Sequence, residues 1–144
     1  MPTTCLQTLL VTPITHLIQP SLSVDESVSV KQACPTYQQS RAQKRDMYVT
    51  SKGVLKGCIT EINLTRAILN KQETKPVLVI AETKLVAIKQ DAELWQLLKI
   101  LNGDNQQRKL LDDIPVVREN NILVGSISRD HLRTALSAYQ IQEV

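Results

Sequence analysis

The chain has 144 residues, 42% of them hydrophobic and 22% charged, enough apolar material for one compact domain or two half-sized units sharing a core. A net charge of +3, with aromatics at 3% and no Phe, argues against nucleic acid, because neither a dense Lys/Arg stripe nor a set of stacking rings stands out. Three cysteines (Cys5, Cys34, Cys58) without a C-x-x-C, two histidines and four glycines argue against structural zinc, a disulfide framework, a Ser-His-Asp type of catalyst and a Gly-rich phosphate loop.

The opening Met1-Pro2-Thr3-Thr4-Cys5-Leu6 lacks the charged region of a signal peptide, and residues 1–11 read as an N-terminal extension. No apolar run approaches the ~18 residues of a membrane span. The expectation is a cytoplasmic protein without catalytic chemistry. Ser21 to Val24 reads as a first strand. Val30, Ala33, Cys34 and Tyr37 then have helical spacing, but Pro35 stands among them and predicts an interruption between 30 and 45. The basic stretch Arg41-Ala42-Gln43-Lys44-Arg45 reads as a solvated loop or helix end. Asp46 to Thr50 and Val54 to Thr60 form a hairpin around Ser51-Lys52-Gly53, followed by a helix.

The same grammar returns downstream. Leu85 to Ile88 is a short apolar strand, and Asp91 is placed to cap a helix whose Leu94, Leu97, Leu98 and Leu101 follow the i, i+3, i+4, i+7 pattern. Trp95 beside that stripe reads as core or dimer interface. Asn102-Gly103 marks the helix end. Ile114 to Val117, the turn Arg118 to Asn121 and the strand Ile122 to Ser128 make a second hairpin, and a helix follows through Ala138.

These are two copies of one β-α-β-β-α unit. Val54-Leu55-Lys56-Gly57-Cys58-Ile59-Thr60 aligns with Ile122-Leu123-Val124-Gly125-Ser126-Ile127-Ser128, and the alignment continues through Leu64 and Leu132, Ala67 and Ala135, and Ile68 and Leu136. Upstream, Asp25 falls on Asp91, with two extra residues in the second copy. The units are placed at residues 12–71 and 76–140, leaving 141–144 as a tail.

The pattern Gly57-x-x-Thr60-x-x-Asn63, ending a strand and opening a helix after a hairpin, resembles the CBS (cystathionine-β-synthase type) domain. Ile114-Pro115-Val116-Val117 followed by Leu123-Val124-Gly125 is similar to that family's hairpin. The resemblance spans roughly residues 12–140 and implies an α/β (α+β) fold of two modules packed through their sheets as a pseudo-two-fold pair. It implies a cleft that binds AMP, ADP or ATP, less readily S-adenosylmethionine or cyclic di-AMP, with no required cofactor. It also implies a homodimer that adjusts the activity of a regulated protein partner. The rival expectation is a ligand-free pair serving only dimerisation or interaction.

Physically, a strand running into a helix leaves unpaired N–H groups and the positive end of the helix dipole facing outward, which favours an anion. Thr60 and Ser128 are placed either to cap those helices or to donate to a phosphate oxygen. In the resemblance, Asn63 and His131 occupy the ribose-holding carboxylate position, and His131 departs from the pattern. Met47 and Tyr48 are expected along the first cleft, with Gly57 and Pro115 in the motifs, and Lys84 and Arg129 as basic residues able to meet phosphates.

Overall fold

The computed structural model describes residues 5–102 and 113–137. The first half runs α1 (Cys5–Leu10), a 3₁₀ turn (Ile14–Leu17), β1 (Leu22–Asp25), α2 (Val30–Ala42), β2 (Met47–Ser51), β3 (Val54–Ile59) and α3 (Glu61–Leu69). The second runs a 3₁₀ turn (Val77–Ile80), β4 (Ile88–Lys89), α4 (Leu94–Asn102), β5 (Asp113–Arg118), a 3₁₀ turn (Glu119–Asn121), β6 (Ile122–Ser128) and α5 (Arg129–Ser137). Gly103 and Ala138, where two helix ends were expected, lie outside the described residues.

The strands form one sheet in the order β1-β2-β3-β6-β5-β4. That order maps onto itself when each strand is exchanged for its repeat equivalent, so the fold carries the symmetry written in the sequence. Within each half the first strand pairs parallel to the second, and the hairpin pairs antiparallel. The halves join where Val54 faces Ile122, and Leu123 N–H donates to the Gly53 carbonyl at 2.9 Å. Lys52 and Gly53, both at positive φ, make the tight turn of the first hairpin. Tyr48, Leu55, Cys58 and Val117 are buried together across the join, so the modules do pack through their sheets.

Two further cores sit under the helices, and each is completed by the other half of the chain. Ile14 and Leu17 pack with Ile88, Leu94, Leu97, Ile114, Ile127 and Leu132 on the second module. Val77 packs with Ala33, Tyr37, Met47, Val49 and Ile59 on the first. Burying each such side chain is worth about 1.5–3 kcal/mol, so the crossings are strong ties. Backbone bonds fix them reciprocally. Gln19 and Ser126 exchange N–H···O bonds of 2.9 and 2.9 Å, and Cys58 and Glu82 exchange bonds of 2.9 and 2.8 Å.

Three local expectations are corrected. α2 runs unbroken through Pro35. Pro35 and Lys31, whose carbonyl loses the proline's missing N–H, are both exposed, so that carbonyl faces water. The helix is also held at its start. Ser29 Oγ accepts from Gln32 N–H and Ser29 N–H donates to Gln32 Oε1, each at 3.1 Å, while Val30 and Lys31 N–H donate to the Lys75 and Glu73 carbonyls at 2.9 Å. Second, Asp91 lies in a turn and does not cap α4. The helix opens at Leu94, and Gln96 Oε1 reaches back to Glu93 N–H at 2.8 Å. Third, of the stretch 85–88 only Ile88 enters a strand, paired with Val116.

Candidate functional site

The two strand-to-helix junctions have the same local geometry. Thr60 Oγ1 accepts from Asn63 N–H at 3.2 Å, and Ser128 Oγ accepts from His131 N–H at 3.3 Å. Both hydroxyls are thus helix caps whose own O–H is still available to donate. Asn63 and His131 sit one turn inside their helices, half-buried and exposed respectively.

The motif glycines do something different. A Cβ on Gly57 would stand 2.8 Å from the Glu82 carbonyl oxygen and 3.0 Å from Ala81 Cβ. On Gly125 it would stand 2.4 Å from the Gln19 oxygen. Both glycines therefore admit the crossing segment of the other half. Met47 is buried in the first module's core, and Pro115 is buried on β5 opposite Ser126. Lys84 is exposed in the segment leading to β4, where its N–H donates to Glu82 Oε1 at 3.1 Å. Trp95 is 44% exposed and bonds Glu93 Oε1 at 3.0 Å, so it is not core.

The residues that do converge form a cleft of about 440 Å³ between the modules. Arg41 and Lys44 reach it from the end of α2, and Asp113 from the start of β5. Ser128, Arg129, Asp130 and Arg133 reach it from the opening of α5. Cations outnumber carboxylates, and the α5 dipole adds positive potential at the same place. Arg133 also touches Asp130 at 3.3 Å on the exposed rim. A second, mostly apolar hollow of about 260 Å³ flanks the same helix, where Thr12, His16 and Leu17 face His131, Leu132 and Leu136. The Ser128 to Leu132 turn therefore separates a polar cleft from an apolar one.

Behind the polar cleft lies a buried clamp. Arg45 Nε donates to Asp113 Oδ2 at 2.6 Å, with the side chains 13% and 1% exposed. Arg45 Nη1 donates to Gln19 Oε1 at 2.9 Å, and Nη2 bonds Ser126 Oγ. Asp113 N–H donates to Asp46 Oδ2 at 2.9 Å. Asp113 Oδ1 has no hydrogen-bond partner among the described residues. Arg45, read as part of a solvated basic stretch, is in fact the inter-module tie, while Arg41 and Lys44 of that stretch are exposed. Nearby, burial holds the Tyr48 hydroxyl well above the usual phenol range; Asp46 adds to the effect, and Ser126 offsets it slightly without reaching hydrogen-bond geometry.

Reading the sequence singled out Ser128, Arg129 and His131 but passed over Asp113, Arg133 and the pairing of Arg45. The available signal was that Arg45 and Asp113 stand 68 positions apart, at equivalent places with opposite charge. Among the described residues no cluster of three or more His, Cys, Asp or Glu side chains is arranged to hold a metal ion. No described helix is long and apolar enough to cross a membrane.

Residues 77–138 match the family model of the CBS domain. None of the curated proteins compared with the chain matches it. Among solved structures, a CBS-domain-pair/ACT-domain protein of Thermotoga maritima is similar over 90% of this chain and 100% of its own, at 17% identity and a TM-score of 0.69. The cytosolic domain of the Mg2+ channel MgtE in complex with ATP is similar over 90% of this chain and 51% of its own, at 22% identity and a TM-score of 0.69. CBSX2 in complex with AMP is similar over 89% and 98%, at 18% identity and a TM-score of 0.65.

Proposed function

The chain carries a CBS domain over residues 77–138 within the fold of a CBS-domain pair, and on that footing we propose that it is a regulatory module binding an adenine-containing nucleotide between its two modules. The observation that carries this reading is the cationic cleft at the opening of α5, where a capped helix N-terminus, Arg41, Lys44, Arg129 and Arg133 face one volume. Phosphates suit guanidinium groups and helix-end N–H groups. The MgtE domain with ATP and CBSX2 with AMP, which share the fold, support the ligand class. Excess positive charge favours AMP, ADP or ATP over the sulfonium cation S-adenosylmethionine.

Regulation follows from where the cleft lies. Its walls come from both halves, so a bound nucleotide favours whichever arrangement of the modules fits it, and changes the surface shown to a protein partner. A homodimer is the proposed assembly. Among the described residues of the cleft no pair is arranged as nucleophile and base, and the proposal assigns no reaction.

A thermal-shift panel of AMP, ADP, ATP, S-adenosylmethionine, NAD and cyclic dinucleotides tests the reading. An adenine nucleotide at 100 times its Kd adds about 2.7 kcal/mol to native stability and raises Tm. A flat response across the panel at millimolar concentration would refute it and favour the module that only mediates interaction.

A further inference from the structure

Resting on that reading, we propose that Arg45, Asp113 and Tyr48 form a latch with two positions, and that a nucleotide in the cleft switches it. In the first position Arg45 holds Asp113 across the axis. In the second, Arg45 turns to the nucleotide phosphate and the Tyr48 hydroxyl donates to Asp113 in its place.

The first position leaves polar atoms unpaired. Asp113 Oδ2 accepts from Arg45 Nε at 2.6 Å, Ser126 Oγ at 3.3 Å and Asp46 N–H at 3.4 Å, whereas Oδ1 accepts from nothing among the described residues. The hydroxyl of Tyr48, a fully buried side chain, has no partner there either. Both belong to one cluster, since Ser126, Asp46 and Asp113 all bear on the Tyr48 hydroxyl. A buried polar atom without a hydrogen bond carries its whole desolvation cost, and a phenol O–H and a carboxylate oxygen are a matched donor and acceptor. Pairing them would relieve both.

The cleft supplies the cause of that movement. Asp113 belongs to the clamp and also lines the cleft, and Arg45 directly follows Lys44 on the cleft wall. The Arg45 backbone is fixed, because its N–H donates to the Ser40 carbonyl at 2.9 Å and its carbonyl accepts from Ser40 Oγ at 2.8 Å. Only the side chain is left to swing. A phosphate pairs with a guanidinium as well as a carboxylate does, so Arg45 exchanges one anion for another. Asp113 keeps the Ser126 and Asp46 donors and gains Tyr48, and three such bonds hold a buried carboxylate ionised. Neither ion is left bare. Arg45 also bonds Gln19 and Ser126, so its departure loosens the crossing segment and carries cleft occupancy to the arrangement of the modules.

Isothermal titration with ATP and two-dimensional NMR of the full chain test this, with melting curves for each variant. ATP is expected to shift the Arg45 Nε–H resonance, identified by its absence in Arg45→Met. Without ligand, Tyr48→Phe is expected to melt no lower than the parent, because it removes an unpaired hydroxyl. It is expected to bind ATP about 3- to 10-fold more weakly, because the second position has lost its donor. ATP binding with the Arg45 resonance unmoved, or binding equally tight in Tyr48→Phe, would overturn the latch and leave nucleotide binding intact. A Tyr48→Phe protein melting well below the parent would show the hydroxyl already paired, and would overturn it too. If ATP gives neither heat nor shifts, the nucleotide reading falls and the latch falls with it.

Discussion

Arg45 and Asp113 are repeat equivalents that have acquired opposite charge and meet across the pseudo-two-fold axis. Like charges at these two equivalent places would repel. Opposite charges turn the axis into a tie, and the tie sits directly behind the polar cleft. Asp113→Ala leaves the Arg45 guanidinium buried without its counter-charge and is expected to cost about 3–5 kcal/mol. Arg45→Met with Asp113→Leu removes both charges and is expected to cost much less, because no buried ion remains. Urea unfolding of the two variants checks the order; a double variant as damaged as the single one would contradict it.

Tyr48 makes a pH prediction at the same scale. Its folded-state pKa is raised above the unfolded value, chiefly by burial, so its neutral form contributes stability that is fully present below about pH 10 and lost as pH rises beyond it. Tyr37, also buried in the first module's core, shifts the same way, chiefly through desolvation. Melting temperature measured from pH 8 to 11 should therefore fall more shallowly in Tyr48→Phe than in the parent. Equal slopes would show that the buried hydroxyl is not what titrates.

At the scale of elements, the crossing segments 14–19 and 77–82 decide what the motif glycines are for. Glycine at 125 lets the Gln19 backbone lie against β6, and the Cβ of an alanine would stand 2.4 Å from a carbonyl oxygen. Gly125→Ala is expected to destabilise by about 1–3 kcal/mol or more, the cost of overpacking against backbone that cannot give way. Gly57→Ala, at 2.8 Å, is expected to cost less. Chemical denaturation of both variants gives the comparison, and a neutral Gly125→Ala would mean the crossing segment moves freely.

The repeat, both hairpins and the helix openings at Thr60 and Ser128 were legible because each rests on local pattern: apolar runs, a short polar turn between them, a hydroxyl before a helix. Pro35 misled because local propensity is weak evidence when the affected carbonyl faces water and the helix start is held by Lys75 and Glu73. Asp91 misled because a capping residue type does not say which turn it precedes. The crossing segments were not legible, since nothing local in Ile14 to Gln19 says that its partners lie beyond residue 87. The cleft was half legible for the same reason. Ser128 and Arg129 belong to a motif, whereas Arg41, Lys44 and Asp113 reach the site only through the packing of one half on the other.

Across the whole molecule, the two halves are tied by a sheet join, a shared apolar cluster, two exchanged segments and one buried clamp. Such coupling makes the pair respond as a unit to anything bound between its parts. The proposed ligand place lies at one end of that assembly, where Arg41, Lys44, Arg129 and Arg133 line one cleft. The proposed nucleotide occupies the cleft at α5. Amide chemical-shift mapping on the full chain with added ATP tests it most directly. Saturable shifts concentrated at Ser128 to Arg133 and at Arg41 to Asp46, with small ones around Thr60 to Asn63, are the expected result. Shifts centred on Thr60 to Asn63, or none anywhere at millimolar ATP, would contradict it.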